Sequence, residues 1–151
     1  MLFRSPLLGA AVSGYAGWFV SFGSGGGSTA MLRDNAVIQS RVARACGRRE
    51  SARAFLLQML REIWTASATS GELSLEQRAR LRVAIAGAME AARTVVDFAY
   101  RAAGTTAIFE GSPFERRFRD LHTLLAQGQA HLSNFESAGQ ALFGIEPAQR
   151  L

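Results

Sequence analysis

Residues 74–104 constrain the fold more than any other part of the chain. Leu75, Leu81, Ala84, Ile85, Ala88, Ala91, Ala92, Val95, Val96 and Ala99 recur at the spacing of one face of an α-helix. Ser74 opens the run, and Gln77 completes a capping box in which each side chain satisfies a free backbone amide near the other. Gly104 supplies a stop. The pattern predicts a helix over residues 75–103. Much of its apolar stripe is alanine, whose short side chain lets a neighbouring helix approach closely.

Three further segments share the helical period. Over residues 34–68, Val37, Ile38, Val42, Ala45, Cys46, Ala52, Phe55, Leu56, Met59, Leu60, Ile63 and Trp64 form an apolar stripe. Gly47 is its weak point, because glycine costs about 1 kcal/mol relative to alanine inside a helix. A small, polar loop follows at residues 65–72. Ser112 and Pro113 suit the N-cap and first position of a helix over residues 112–143, with Gly128 and Gly139 as points of bending or fraying. Phe118, Leu121, Leu124, Leu125, Leu132 and Phe135 give that helix its apolar face.

Residues 6–22 superficially resemble a secretory leader. Leu7, Leu8, Ala11, Tyr15, Trp18, Phe19 and Phe22 nevertheless follow helical spacing, and Pro6 suits a first turn. Interrupted by Ser13, Gly14 and Gly17, the run is too short for a membrane span. The GSGGGS run at residues 23–28 is expected to be a flexible connection, and the tail beyond Gly144 to be loosely docked. No strand, hairpin or fixed repeat is visible. The expected fold is all-α: an antiparallel up-and-down four-helix bundle forming a single domain over residues 1–151.

A chain of 151 residues that is 48% hydrophobic and 19% charged has the makings of a real core, and neither metal nor disulfide is needed to stabilise it. All 17 basic residues are arginine, for a net charge of +5. They are scattered through amphipathic helices rather than gathered in a stripe with interleaved aromatics, so nucleic acid is not an expected partner. Cys46 is the only cysteine, which excludes a disulfide within the chain and a cysteine metal cluster. A reducing, cytoplasmic setting follows, with no membrane association.

Residue chemistry alone excludes several sites. Neither His122 nor His131 is preceded by glutamate at the spacing a di-iron bundle requires, so no metal is expected. No serine occupies a nucleophile elbow, and the glycine run lacks the Lys-Ser/Thr ending of a phosphate loop. The remaining candidate is the start of the last helix. Its free amides and partial positive charge, with Arg116 and Arg119 close by, suit an anion such as phosphate. Equally, Asp120 can pair with Arg116 or Arg117 on a solvated face.

Several of these stretches carry a family likeness. Y-R-A-A-G at residues 100–104, S-P-F-E-R-R-F-R-D at 112–120, H-T at 122–123 and F-E-S-A-G-Q at 135–140 resemble the C-terminal helical domain of the acyl-CoA dehydrogenase superfamily. The likeness is strongest to its branch of flavin-dependent monooxygenases. P-L-L-G-A-A at 6–11 and L-R-D-N-A-V-I-Q-S-R-V-A-R-A at 32–45 look like the first two helices of that domain. The resemblance implies a flavin, FAD or FMN. It places Arg101, Gly104, Thr105 and Thr106 near the cofactor, Arg33 near its phosphates, and Arg116, Arg119 and Asp120 in a segment that is structural or close to the flavin. Dehydrogenases of the family carry a glutamate where this chain has Gly128, and monooxygenases often carry a histidine where it has Gln127. Both expected bases are missing. Gln127, whose amide can hydrogen-bond but not abstract a proton, and the histidines His131 and His122 are the catalytic candidates that remain. In a continuous helix, His131 faces nearly the same way as Gln127, and His122 does not.

The resemblance also implies that the N-terminal helical and β domains of the family are absent from this chain. Expected partners are further copies of the chain, as a dimer or tetramer through the bundle, and a separately encoded N-terminal part or a flavin reductase. Two readings stand side by side. One is the C-terminal domain or a fragment of a flavin-dependent oxidoreductase or monooxygenase, contributing to the flavin site and the oligomer interface. The other is a non-catalytic helical module for oligomerisation or partner binding.

Overall fold

The computed structural model describes residues 32–148, which are all-α, without a strand among them. Helix α1 spans Ala36–Ser70, α2 Leu75–Ala102, α3 Pro113–Leu125 and α4 Ser133–Leu142, with short 3-10 turns at Leu32–Asp34, Gly104–Ile108 and Gly128–Ala130. The helix expected over residues 6–22 and the glycine run after it lie outside the described residues.

Local chemistry sets the helix starts. The Oδ1 of Asn35 accepts from the backbone amides of Val37 at 2.9 Å and Ile38 at 3.3 Å, capping α1. At α2 the capping box closes as expected. The Gln77 amide donates to Ser74 Oγ at 3.1 Å, and the Ser74 amide donates to Gln77 Oε1 at 2.9 Å. Gly104 follows α2 with φ +63°, a left-handed conformation that glycine adopts without a Cβ penalty.

Ala92, Val95, Val96 and Ala99 of α2 are buried in one part of the structure with Phe114 and Leu121 of α3, and Ala79, Ala84, Ala86, Ala88 and Ala91 of α2 in another with Met59 of α1 and Ala138 of α4. Two compact units divide the described residues. The first holds the residues up to Arg49 together with Ala92–Thr123; the second holds Glu50–Ala91 and the residues from Leu124 onward.

Several expectations need correction. Residues 65–70, expected to be loop, continue α1 to Ser70. Leu75 and Leu132, expected on apolar faces, are 41% and 69% exposed. The helix expected over 112–143 is two helices, because the chain leaves helical conformation at Gln127 (ψ 153°) and again at His131 (ψ 140°). Gly139 lies inside α4, so of the two glycines named as weak points only Gly128 falls at the break. On α1, Trp64 is 82% exposed and Val37 60%, although both were assigned to the apolar stripe. Five residues beyond buried Met59, Trp64 is turned about 140° from it at 3.6 residues per turn, and Val37 sits in the first turn. Ser112 does precede α3 and its carbonyl accepts from the Arg116 amide at 3.3 Å, but its buried hydroxyl finds no hydrogen-bond partner, so the cap lacks its side-chain bond.

Candidate functional site

In the first unit, helical spacing collects basic side chains along one open cleft. Arg41, Arg44 and Arg48 share a face of α1, with Ala45 between them and Ile38 one turn before. From α2 come Arg93, Thr94, Asp97, Phe98, Arg101 and Ala102, and from α3 His122. Together they line a space of about 1180 Å³.

Among the described residues, five arginines and one carboxylate, that of Asp97, line it. That carboxylate is occupied: Asp97 Oδ1 lies 2.9 Å from His122 Nε2, so the imidazole donates from Nε2 and its Nδ1 is left as the acceptor when the ring is neutral. An aromatic stack holds His122 from the other side. Phe118 packs on Tyr100 with centroids 4.3 Å apart and on the His122 ring at 4.2 Å. Arg48 Nη1 donates to Thr94 Oγ1 at 3.1 Å. Within the described residues, no hydrogen bond or ion pair engages the side chain of Arg41, Arg44 or Arg101. Such a surplus of positive charge suits phosphate oxygens, which guanidinium groups bind through paired N–H donors.

Of the expected site residues, the cleft brings together Arg101, expected at the cofactor, and His122, a catalytic candidate. Gly104 and Thr105 lie in the 3-10 turn after α2 and are exposed, and Thr106 Oγ1 donates to the Ala103 carbonyl at 2.6 Å. Arg33 is exposed beside Asp34 at 3.6 Å, and its carbonyl accepts from Gln39 Nε2. None of these four lines the cleft. Arg116 and Arg119 lie on the exposed face of α3, in i,i+4 pairs with Asp120 at 3.8 Å and Glu115 at 3.4 Å. Between the two readings of that helix start, the geometry is that of solvated ion pairs.

Gln127 and His131 belong to the second unit and flank the Gly128–Ala130 turn. Both have extended backbone, so the helical register that set them on one face does not apply. His131 Nδ1 accepts from the Ser133 amide at 3.2 Å and lies 2.7 Å from Ser133 Oγ, which makes the imidazole a local brace at the start of α4. Sequence reasoning missed the residue that organises this turn. Asn134 is buried, and its Nδ2 donates to the carbonyls of Gly128 and His131, both at 2.8 Å. It also missed Arg41, Arg44, Arg48 and Arg93. The i, i+3, i+7 recurrence of the first three was the available signal.

Residues 1–132 match the acyl-CoA dehydrogenase C-terminal domain family. The chain belongs to that family. Among solved structures, this acyl-CoA dehydrogenase C-terminal domain is similar to XiaF from Streptomyces sp., determined in complex with FADH2 and glycerol, at TM-score 0.84 and 19% identity. It is also similar to the HsaA monooxygenase from M. tuberculosis, at TM-score 0.75 and 22% identity. Each likeness covers 95% of this chain and 37% of the other, so the domain spans little more than a third of either protein. No curated protein matches the chain. Among the described residues, no group of three or more His, Cys, Asp and Glu is placed to hold a metal, and no helix is long and apolar enough to cross a membrane.

Proposed function

We propose that the chain acts as the C-terminal domain of a flavin-dependent oxidoreductase of the monooxygenase kind, and that its arginine-lined cleft holds the phosphate end of the flavin. The observation that carries this reading is the cleft itself, where Arg101, which the family resemblance sets beside the flavin, lies among four more guanidinium groups and a single carboxylate. The donor set fits a phosphorylated cofactor. Arg41, Arg44, Arg48 and Arg101 hold the phosphate, while Phe98, Ile38 and Ala45 offer apolar contact beside it. A bound flavin supplies the redox chemistry. His122, oriented by Asp97 and the Phe118 ring, is the group in the cleft able to hold a proton, at Nδ1.

Gln127 and His131 receive no catalytic role in this reading. An amide does not exchange a proton at neutral pH, and His131 Nδ1 is committed to the start of α4. The chain is assigned to the cytoplasm, as part of a homo-oligomer that works with a separately encoded N-terminal part or a flavin reductase. Exposed Trp64, Leu132, Leu142, Phe143 and Ile145 in the second unit support self-association. The same residues favour the second reading, a non-catalytic oligomerisation module.

Flavin retention separates the two. Purified chain, alone or co-expressed with the product of an adjacent reading frame, should keep flavin absorbance through desalting in at least one case. Absence of flavin in both, with a stable dimer or tetramer by light scattering, leaves the oligomerisation module as the answer.

A further inference from the structure

The second unit has a pocket of its own. Arg78, Leu81, Arg82 and Ile85 stand at i, i+3, i+4 and i+7 of α2, so they share one face, and with Leu73 they form one side of a space of about 580 Å³. Gly128, Gln129 and Asn134 line it from the turn before α4 and the start of that helix. All these residues belong to the second unit, and none lines the arginine-rich cleft. The volume is that of a small-molecule site, for which roughly 300–1,000 Å³ is usual.

The two arginines of that face are used differently. Arg82 Nη1 donates to Asn134 Oδ1 at 2.5 Å, so this guanidinium is committed to the turn. Arg78 has no such anchor. Its Nε is buried without a hydrogen-bond partner, and among the described residues no ion pair engages its side chain. Nor does any carboxylate among the described residues line the pocket. A guanidinium partly withdrawn from water without a counter-charge is costly, and a bound anion supplies what the fold does not. Leu73, Leu81 and Ile85 make the rest of this wall apolar.

We infer that this pocket binds a small monocarboxylate with an apolar body, its carboxylate on Arg78 and its hydrocarbon against Leu73, Leu81 and Ile85. A planar carboxylate matches the guanidinium fork, and the amide of exposed Gln129 can donate to the same group. A phosphate dianion calls for a second available cation, whereas Arg82 is turned to Asn134. The inference does not depend on the flavin reading.

The test is calorimetric titration of the full chain with hexanoate and benzoate, their uncharged amides, acetate and inorganic phosphate. Hexanoate or benzoate should bind about tenfold or more tighter than its own amide, than acetate and than phosphate. Arg78→Gln should lose about tenfold or more in affinity for that acid, and Arg78→Lys less, because lysine keeps the charge without the fork. Arg61→Gln, the same charge change on α1 of the second unit, should leave it unchanged, with helicity followed in each variant by circular dichroism. Gln129→Glu, at an exposed position that does not threaten the fold, should weaken the acid about twofold or more by like-charge repulsion and decides the matter if Arg78→Gln does not fold. Acids binding no tighter than their amides or acetate, phosphate binding tighter than both acids, or no weakening in Gln129→Glu would overturn the inference. So would equal losses in Arg78→Gln and Arg61→Gln, or a loss in Arg44→Gln in place of Arg78→Gln, which would put the acid in the other cleft.

Discussion

Asn134 Oδ1 accepts a hydrogen bond from Arg82 Nη1 at 2.5 Å, while the same side chain's Nδ2 holds the carbonyls of Gly128 and His131. One buried amide therefore ties the break between α3 and α4 to α2. Replacing it with alanine leaves two backbone carbonyls and a guanidinium without this partner. For a buried polar network each orphaned group costs about 1–3 kcal/mol. Asn134→Ala is expected to lower the unfolding free energy by about 2–4 kcal/mol, seen as a reduced urea midpoint. Limited proteolysis should then cut within residues 126–132 faster than in the parent chain. An unchanged midpoint would show that the turn does not depend on Asn134.

The two serines before helices make opposite predictions. Ser74 exchanges bonds with Gln77, so Ser74→Ala should cost about 1 kcal/mol in thermal or urea unfolding. The Ser112 hydroxyl is buried without a partner, so its removal costs no hydrogen bond. Ser112→Ala should leave stability within about 0.5 kcal/mol of the parent or raise it. Equal losses in the two variants would contradict this contrast.

These cases show where the fold was legible in the sequence. The Ser74–Gln77 box, the alanine stripe of α2 and the stop at Gly104 depend on residues a few positions apart, so spacing alone exposes them. The break after Leu125 depends on Asn134 reaching back to Gly128, which leaves no periodic signature. Trp64 is apolar in character but lies off the buried face of α1, so residue type and angular position disagree there. In the cleft, Arg101 and His122 were visible through family likeness. The gathering of Arg41, Arg44 and Arg48 with Arg93 needed two helices brought together in space, and no single stretch of sequence contains it.

The alanine face of α2 leaves little room for larger side chains. Ala84 and Ala99 are 1% exposed, and forcing extra methylene groups into a packed core costs about 1–3 kcal/mol. Ala84→Leu and Ala99→Leu should each lose about that amount in denaturant unfolding. Trp64→Ala, at an exposed position, should change monomer stability by less than about 0.5 kcal/mol. If the exposed apolar residues of the second unit mediate self-association, the same substitution weakens the oligomer in sedimentation or light scattering. A stability loss at Trp64 matching those at the alanines would argue against its observed exposure.

Asp97 offers the last and most discriminating prediction, because it has two separable roles. It holds His122 through a 2.9 Å contact, and among the described residues it is the one carboxylate lining a cleft that five arginines also line. Asp97→Asn keeps an oxygen able to accept from His122 Nε2 while removing the charge. At a separation of roughly 8 Å in a solvent-like dielectric, one unit charge contributes about 0.5 kcal/mol to anion binding. Pyrophosphate should therefore bind about twofold tighter to Asp97→Asn, since 1.4 kcal/mol corresponds to about tenfold. His122→Ala should not reproduce that gain, because it leaves the carboxylate in place without its imidazole partner. Weaker pyrophosphate binding in Asp97→Asn, with helicity and melting temperature unchanged, would contradict a purely electrostatic role for the carboxylate in the cleft.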